Sequence, residues 1–136
     1  MRALIDTNTV LDFLTKREPF RESAEAIVEA SASGKIAGSI AAHSFPNIFF
    51  ILRKEFNNED RRRLLLGLCG VFKIEGIDQD KIESAIQNEP IADFEDALQI
   101  ECAISFGADY IITRDPKGFA ASSIPAISPD TFVKLI

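Results

Sequence analysis

Short apolar runs alternate with amphipathic segments along the chain, and these two patterns predict strands and helices in turn. The apolar runs predict five short strands, at residues 2–5, 35–41, 72–77, 110–113 and 125–128. Between them, apolar side chains recur with the 3.6-residue period of an α-helix, which predicts helices at residues 7–14, 19–34, 44–54, 59–71, 78–88, 93–106 and 129–135. Strands that alternate with helices are typical of a parallel sheet covered on both faces. We therefore predict one α/β domain over residues 1–136.

The composition indicates a globular protein and disfavours membrane and secreted classes. Hydrophobic residues make up 46% of the chain and charged residues 26%, which is an ordinary balance for a folded domain. No apolar run approaches the roughly 18 residues of a membrane span. Asp6 interrupts the first apolar run too early for a signal peptide. Cys69 and Cys102 both fall in apolar helical patterns, which predicts buried free thiols in a reducing compartment, and hence a cytoplasmic location.

Charge is distributed unevenly between the two halves of the chain. The net charge is −6, but residues 73–136 alone carry 5 basic and 12 acidic side chains. A protein that reads DNA sequence typically shows a basic footprint, which this chain as a whole lacks. An acidic half is compatible with a nucleic-acid enzyme if its carboxylates gather around metal ions. The positions of the acids therefore decide the interpretation.

Several acids stand where an open parallel sheet places its ligands. Such sheets bind ligands beyond the carboxyl ends of their strands, at the point where the strand order reverses. Asp6 directly follows the first predicted strand, and Asp115 lies just past the fourth. Asp93, Glu95 and Asp96 crowd the first turn of the helix that leads into the fourth strand. A strand order of 3-2-1-4-5 would bring Asp6, Asp96 and Asp115 to one crevice.

Carboxylates that converge without a cation between them repel one another, and a divalent metal would relieve this repulsion. The sequence has no zinc-type spacing of cysteines, and its one histidine, His43, is interpreted as a packing or surface residue. Oxygen ligands favour Mg²⁺ or Mn²⁺. Each acid also has a structural interpretation: Asp93 and Asp96 suit the start of a helix, and Asp115 suits a turn. Asp6, directly after a buried strand, favours function.

Three motifs resemble the PIN-domain family in order and spacing over essentially the whole chain. They are LIDTN at residues 4–8, DFEDALQ at residues 93–99 and ADYIITRD at residues 108–115. The resemblance implies a compact α/β nuclease with a central parallel sheet, Mg²⁺ or Mn²⁺ held by acidic side chains, and RNA as substrate. Many members of this family are VapC-like ribonuclease toxins of type II toxin–antitoxin pairs. An antitoxin partner and a homodimer are therefore expected.

The resemblance also implies roles for individual residues. Asp6, Asp96 and Asp115 match the family's catalytic, metal-holding acids, with Asp93 as an additional ligand candidate. Thr7, Asn8 and Thr113 match their polar neighbours. The family usually has a Glu in the helix after the second strand, where this chain has Asn47. Asn47 offers a neutral oxygen but no charge, which lowers the metal affinity that we expect.

The leading hypothesis is a metal-dependent ribonuclease in which a metal-activated water attacks the RNA phosphodiester. Six basic residues are candidates for holding the phosphate backbone: Lys16, Arg17, Arg53, Lys54, Arg114 and Lys117. One alternative is a PIN fold weakened at Asn47 that binds RNA or a protein without cutting. The other is a phosphatase of the haloacid-dehalogenase type, which would need a second Asp where this chain has Asn8. The 11 phenylalanines, among them Phe50, favour self-association.

Overall fold

The computed structural model describes all residues from 1 to 136, and its sheet has five parallel strands. The strands are Arg2–Ile5 (β1), Ala37–Ala41 (β2), Lys73–Glu75 (β3), Tyr110–Ile112 (β4) and Ala126–Ile127 (β5). Their order is β3-β2-β1-β4-β5, and every neighbouring pair is parallel. The predicted order of 3-2-1-4-5 is therefore confirmed. The strand order reverses between β1 and β4, which is where the acids were expected to meet.

Seven α-helices surround the sheet in the predicted sequence of elements. They are Thr7–Leu14 (α1), Arg21–Ala32 (α2), Ser44–Ile51 (α3), Asn58–Val71 (α4), Gln79–Gln87 (α5), Phe94–Phe106 (α6) and Pro129–Val133 (α7). The helix predicted over residues 44–54 is α-helical only to Ile51, and its last turn, Leu52–Lys54, is a 3₁₀ turn. A second 3₁₀ turn, Pro116–Phe119, follows β4 and was not predicted. None of the helices combines the length and apolar character that a membrane crossing requires.

Alternating side chains of the strands build one hydrophobic core on each face of the sheet. Ile5 and Ile112 belong to the first core, together with buried residues of α1, α2, α3, α4 and α7. Leu4 and Ile111, one position earlier in the same strands, belong to the second core, together with residues of α5 and α6. Helices α1 and α6 therefore approach the end of β1 from opposite faces of the sheet. This arrangement brings the start of each helix to the same edge.

Helix α4 and the aromatic residues depart in part from the expected burial. Cys102 is buried, and burial raises the pKa of its thiol to about 11, but Cys69 is exposed on α4, contrary to the prediction. The reason is that α4 buries only Leu68, so its apolar pattern is wider than the face that packs. Phe50 is 58% exposed, and the guanidinium of Arg53 lies 3.7 Å from its ring centre.

Candidate active site

The carboxylate of Asp6 lies at the end of β1 and is held at both oxygens. Asp6 caps the N-terminus of α1, where its Oδ1 accepts a hydrogen bond of 2.8 Å from the backbone N–H of Thr7. Its Oδ1 also accepts from Gln99 Nε2 at 3.3 Å, and its Oδ2 accepts from Thr113 Oγ1 at 2.8 Å. Burial raises the pKa of Asp6, although the hydrogen bonds from Thr113 and Thr7 oppose the shift. The chain therefore keeps this half-buried carboxylate in place with neutral donors only.

Asp96 faces several other acids from the first turn of α6. Asp93 is the N-cap of this helix and accepts a hydrogen bond from the backbone N–H of Asp96 at 3.0 Å, so the capping role foreseen for Asp93 is present. Burial raises the pKa of Asp96 from 3.8 to about 6, and the nearby charges of Asp93, Asp6, Glu95 and Asp115 add to the shift. The structure thus brings these acids, from three separate segments, into one electrostatic neighbourhood.

Gly118 marks the place where two of these acids converge. A methyl group built on its Cα would lie 3.1 Å from Asp96 Oδ2 and 3.3 Å from Asp115 Oδ2. The absence of a side chain at Gly118 therefore leaves room beside both carboxylates. Sequence reasoning did not single out this glycine, because it lies in the unpredicted 3₁₀ turn after β4.

The segment that carries Asp115 is fixed by neighbouring polar groups. The hydroxyl of Thr113 accepts hydrogen bonds from the backbone N–H of Asp115 at 3.1 Å and from Asn8 Nδ2 at 3.3 Å. The carbonyl oxygen of the Asn8 side chain accepts from the backbone N–H of Arg114 at 3.3 Å. Both groups of the Asn8 amide thus help to hold this segment in place.

Two residues near Asp6 were not predicted as part of the site. Gln99 is fully buried, and its Nε2 reaches Asp6, Thr7 and Ser44. One signal could have found it: Gln99 follows Asp96 with the same i,i+3 spacing that links Asp93 to Asp96, which places all three on one side of α6. His43, interpreted from sequence as a packing or surface residue, is half-buried before α3. Burial lowers its pKa, against the opposing effects of Asp6 and Glu95.

Two other residues proposed from the sequence, Asn47 and Arg114, differ in their surroundings. Asn47 is exposed on α3, one turn beyond the buried Ser44, which is the residue of α3 that reaches the network. Arg114 donates to the buried carboxylate of Asp12 at 2.6 and 3.3 Å, and its guanidinium lies 4.2 Å from the ring centre of Phe20. The charge of Arg114 is therefore balanced inside the domain.

The remaining basic candidates lie on the surface. Arg17 and Lys54, 37 positions apart in sequence, line one cleft of about 370 Å³ between α1 and the end of α3. Lys16 and Lys117 are exposed, in the loop after α1 and in the 3₁₀ turn after β4. Arg53 is stacked on Phe50, as described above. Two of the six candidates thus share a cleft, which Asp12 and Glu55 also line.

Comparison with known proteins identifies the family. A family model described as a PIN domain matches residues 2–117, which include all three sequence motifs. The chain belongs to the PIN-domain family. No curated protein sequence matches it closely enough to add a relative.

Solved structures with the same fold include toxins and toxin–antitoxin complexes. A toxin–antitoxin complex from Klebsiella pneumoniae is 25% identical, with 93% of this chain and 97% of that chain covered and a TM-score of 0.70. VapBC2 from Rickettsia felis, bound to a DNA fragment from its promoter, is 16% identical, with 94% and 98% covered and a TM-score of 0.72. VapC20 from Mycobacterium tuberculosis, a sarcin-ricin loop cleaving toxin, is 15% identical, with 88% and 94% covered and a TM-score of 0.69.

PIN-domain nucleases generally use divalent metals, and the donors in this chain suit a hard cation. As the side chains are placed, no three His, Cys, Asp or Glu residues surround a common point at ligand distance. The chemistry nevertheless fits, because the donors of the site are oxygens and Gly118 leaves space beside two carboxylates. Burial, together with the charges of the neighbouring acids, disfavours the ionised form of Asp96. The buried Oε1 of Gln99 also lacks a hydrogen-bond partner.

The raised pKa of Asp96 predicts that the metal-free protein loses stability as the pH rises through about 4 to 6. A carboxyl group whose pKa is higher in the folded than in the unfolded state binds its proton more tightly when folded, so ionisation disfavours folding. In EDTA, we expect Asp96→Asn to gain melting temperature relative to the unmodified protein between about pH 4 and pH 7. Melting curves across this range measure the difference, and a constant difference would contradict the electrostatic account.

Proposed function

We propose that this PIN-domain protein is a metal-dependent ribonuclease and the toxin of a toxin–antitoxin pair. The observation that carries the proposal is the convergence of Asp6, Asp96 and Asp115 at the switch point of the sheet, with Gly118 leaving space beside two of them. The 25% identical Klebsiella toxin–antitoxin complex supports the toxin assignment. The sarcin-ricin loop cleaving toxin among the structural neighbours supports RNA as the substrate class.

In the proposed mechanism, Asp6, Asp96 and Asp115 would hold one or two Mg²⁺ or Mn²⁺ ions, with Asp93 as a further candidate ligand. Such a cation would supply Lewis-acid stabilisation of the phosphodiester and would favour deprotonation of the attacking water. Thr113 orients Asp6 through its hydroxyl and positions the backbone of Asp115. The hydrogen bonds of Asn8 hold the same segment against the start of α1.

The distribution of charge favours one face of the domain as the surface that binds RNA. Residues 78–101, which include α5 and the start of α6, carry eight acidic side chains and one basic one, so this surface repels phosphates. The cleft lined by Arg17 and Lys54 lies on the other face of the sheet, where α1 packs on the first core. We expect RNA to cross the α1 side of the site, with Lys16, Arg53 and Lys117 as additional phosphate contacts.

Exposed apolar side chains support protein partners. Phe50, Leu66 and Ile86 are 58%, 73% and 63% exposed, on the three helices α3, α4 and α5. A homodimer and a cognate antitoxin would both cover such surfaces. Sedimentation of the purified protein at micromolar concentration tests the dimer. An RNA substrate and two free thiols are in keeping with the cytoplasmic location predicted from sequence.

The test of the proposed function is cleavage of a mixed RNA pool by the purified protein. We expect cleavage with Mg²⁺ or Mn²⁺, none in EDTA, and a higher melting temperature with Mn²⁺, because a ligand of the folded state stabilises it. Metal binding without cleavage would instead support the second candidate, a PIN fold that only binds RNA or protein. The neutral, exposed Asn47 favours that candidate, and gain of cleavage in Asn47→Glu would show that a missing carboxylate is the reason.

The space beside Gly118 gives a prediction that leaves every acid in place. Gly118→Ala places a methyl group 3.1 Å from Asp96 Oδ2 and 3.3 Å from Asp115 Oδ2, where it competes with a cation. We expect Mn²⁺ affinity, measured by calorimetry, to fall roughly tenfold, a typical effect of disturbing the surroundings of metal ligands. Gly76→Ala is the matched control, since nothing lies within 4 Å of its new methyl group. Equal affinities of the two variants would place the cation elsewhere.

A further inference from the structure

Gln99 connects three elements of the fold at the catalytic Asp6. The side chain is fully buried in α6, and its Nε2 lies 3.3 Å from Asp6 Oδ1 and 3.1 Å from Ser44 Oγ. Thr7 Oγ1 lies 3.4 Å from the same nitrogen and donates to Ser44 Oγ at 2.9 Å. An amide nitrogen carries two hydrogens, so one side chain can hold the carboxylate and the hydroxyl pair at once. Gln99 thereby ties α6 to the end of β1 and to the start of α3.

The neutrality of this donor matters for a site that binds cations. All the donors that hold Asp6 are uncharged: the Thr7 backbone, the Gln99 amide and the Thr113 hydroxyl. A lysine or arginine in place of Gln99 would balance the negative charge of Asp6 and compete with a metal ion for it. A neutral donor fixes the direction of the carboxylate and leaves its charge available.

The buried amide also carries a cost that packing does not explain. Gln99 Oε1 is buried without a hydrogen-bond partner, and an unsatisfied buried acceptor lowers stability. Methionine fills nearly the same volume without a polar group, so a purely apolar role would be better served by it. A destabilising polar group beside a catalytic acid is the pattern expected where function, and not stability, determines the residue.

We propose that Gln99 is the positioning residue of the metal site: through Nε2 it sets the orientation of the Asp6 carboxylate and anchors it to Ser44. The inference rests on the metal binding of the proposed function. It assigns a role to a residue that lies one turn beyond Asp96 on the same side of α6 and is not itself required to touch the metal or the RNA. The role requires that loss of the amide weaken metal binding without unfolding the protein.

The test compares Gln99→Met with Gln87→Met, a matched control at an exposed glutamine of α5. We would measure Mn²⁺ affinity by calorimetry and melting temperature in EDTA. For Gln99→Met, we expect Mn²⁺ affinity to fall about 10- to 100-fold, the usual effect of removing a group that orients a metal ligand. The melting temperature in EDTA should stay equal or rise. A lower melting temperature with unchanged Mn²⁺ affinity would show a structural role only and overturn the inference.

A second variant keeps the test decisive if Gln99→Met does not fold. Ser44→Ala removes the hydroxyl that Gln99 and Thr7 share, and we expect a smaller loss of Mn²⁺ affinity than for Gln99→Met. Unchanged affinity of Ser44→Ala counts against the inference.

Failure of the inference can be distinguished from failure of the proposed function. Mn²⁺ binding by the unmodified protein without RNA cleavage removes the nuclease and leaves the role of Gln99 intact. Absence of Mn²⁺ binding by the unmodified protein overturns both.

Discussion

Asp96→Asn is expected to lower metal-dependent RNA cleavage about a thousandfold and to raise the melting temperature in EDTA at neutral pH. A metal ion contributes several kcal/mol to the stabilisation of a phosphoryl transition state, and about 4 kcal/mol corresponds to a thousandfold in rate. Stability should change in the opposite direction, because Asp96 is ionised at neutral pH although burial and the charges of Asp93, Asp6, Glu95 and Asp115 disfavour the ionised form. A loss of cleavage together with a gain in melting temperature is the result expected if Asp96 serves metal binding and not folding.

The control for this variant is Asp80→Asn, which removes an exposed acid from the first turn of α5. Both substitutions take away one negative charge near a helix N-terminus, so the control reports the contribution of the helix dipole and of net charge. We expect Asp80→Asn to leave cleavage unchanged and to lower the melting temperature slightly. Combining Asp96→Asn with Asp6→Asn should remove most of the stabilisation by Mn²⁺. Equal Mn²⁺ shifts in the double variant and the unmodified protein would exclude these acids as ligands.

The central positions of β1 and β4 in the sheet could be predicted because local signals indicate them. The apolar runs that contain Leu4, Ile5, Ile111 and Ile112 pack on both faces and leave little choice but a central strand position. Once β1 and β4 are neighbours, the acid that follows β1 must lie near the segment that follows β4. The neighbouring positions of β1 and β4 were therefore enough to predict that Asp6 and Asp115 lie close together. Strand and helix ends were less certain, as the 3₁₀ turn at Leu52–Lys54 shows.

The supporting residues could not be predicted because their roles depend on partners distant in sequence. Gln99 contacts Ser44 and Asp6, which are 55 and 93 positions away. A buried glutamine reads from the sequence as one more polar position of a helix. Gly118 owes its importance to two carboxylates that approach it from different segments. Arg114 next to Asp115 suggested a phosphate contact, and only the packed structure reveals the buried acid that it pairs with.

Arg114→Ala is expected to destabilise the protein by about 3 kcal/mol, because it leaves the carboxylate of Asp12 buried without a partner. Asp12 is only 1% exposed, and the guanidinium of Arg114 contacts both of its oxygens, at 2.6 and 3.3 Å. This loss corresponds to roughly 10 °C in melting temperature for a domain of this size. Chemical denaturation measures the free energy of unfolding directly. Arg62→Ala, at an exposed arginine of α4, is the control and should cost little.

A double-variant cycle separates the pairing from the packing of Arg114 on Phe20. Removing both charges, in Asp12→Ala with Arg114→Ala, should cost less than the sum of the single changes, because the double variant leaves no buried charge unpaired. Arg114→Lys keeps the charge but cannot contact both carboxylate oxygens, so it should fall between the unmodified protein and Arg114→Ala. Additive costs would mean that the ion pair contributes no coupling. Because Arg114 precedes Asp115, disrupting the pair should also weaken Mn²⁺ binding, so this pair links the stability of the fold to the geometry of its site.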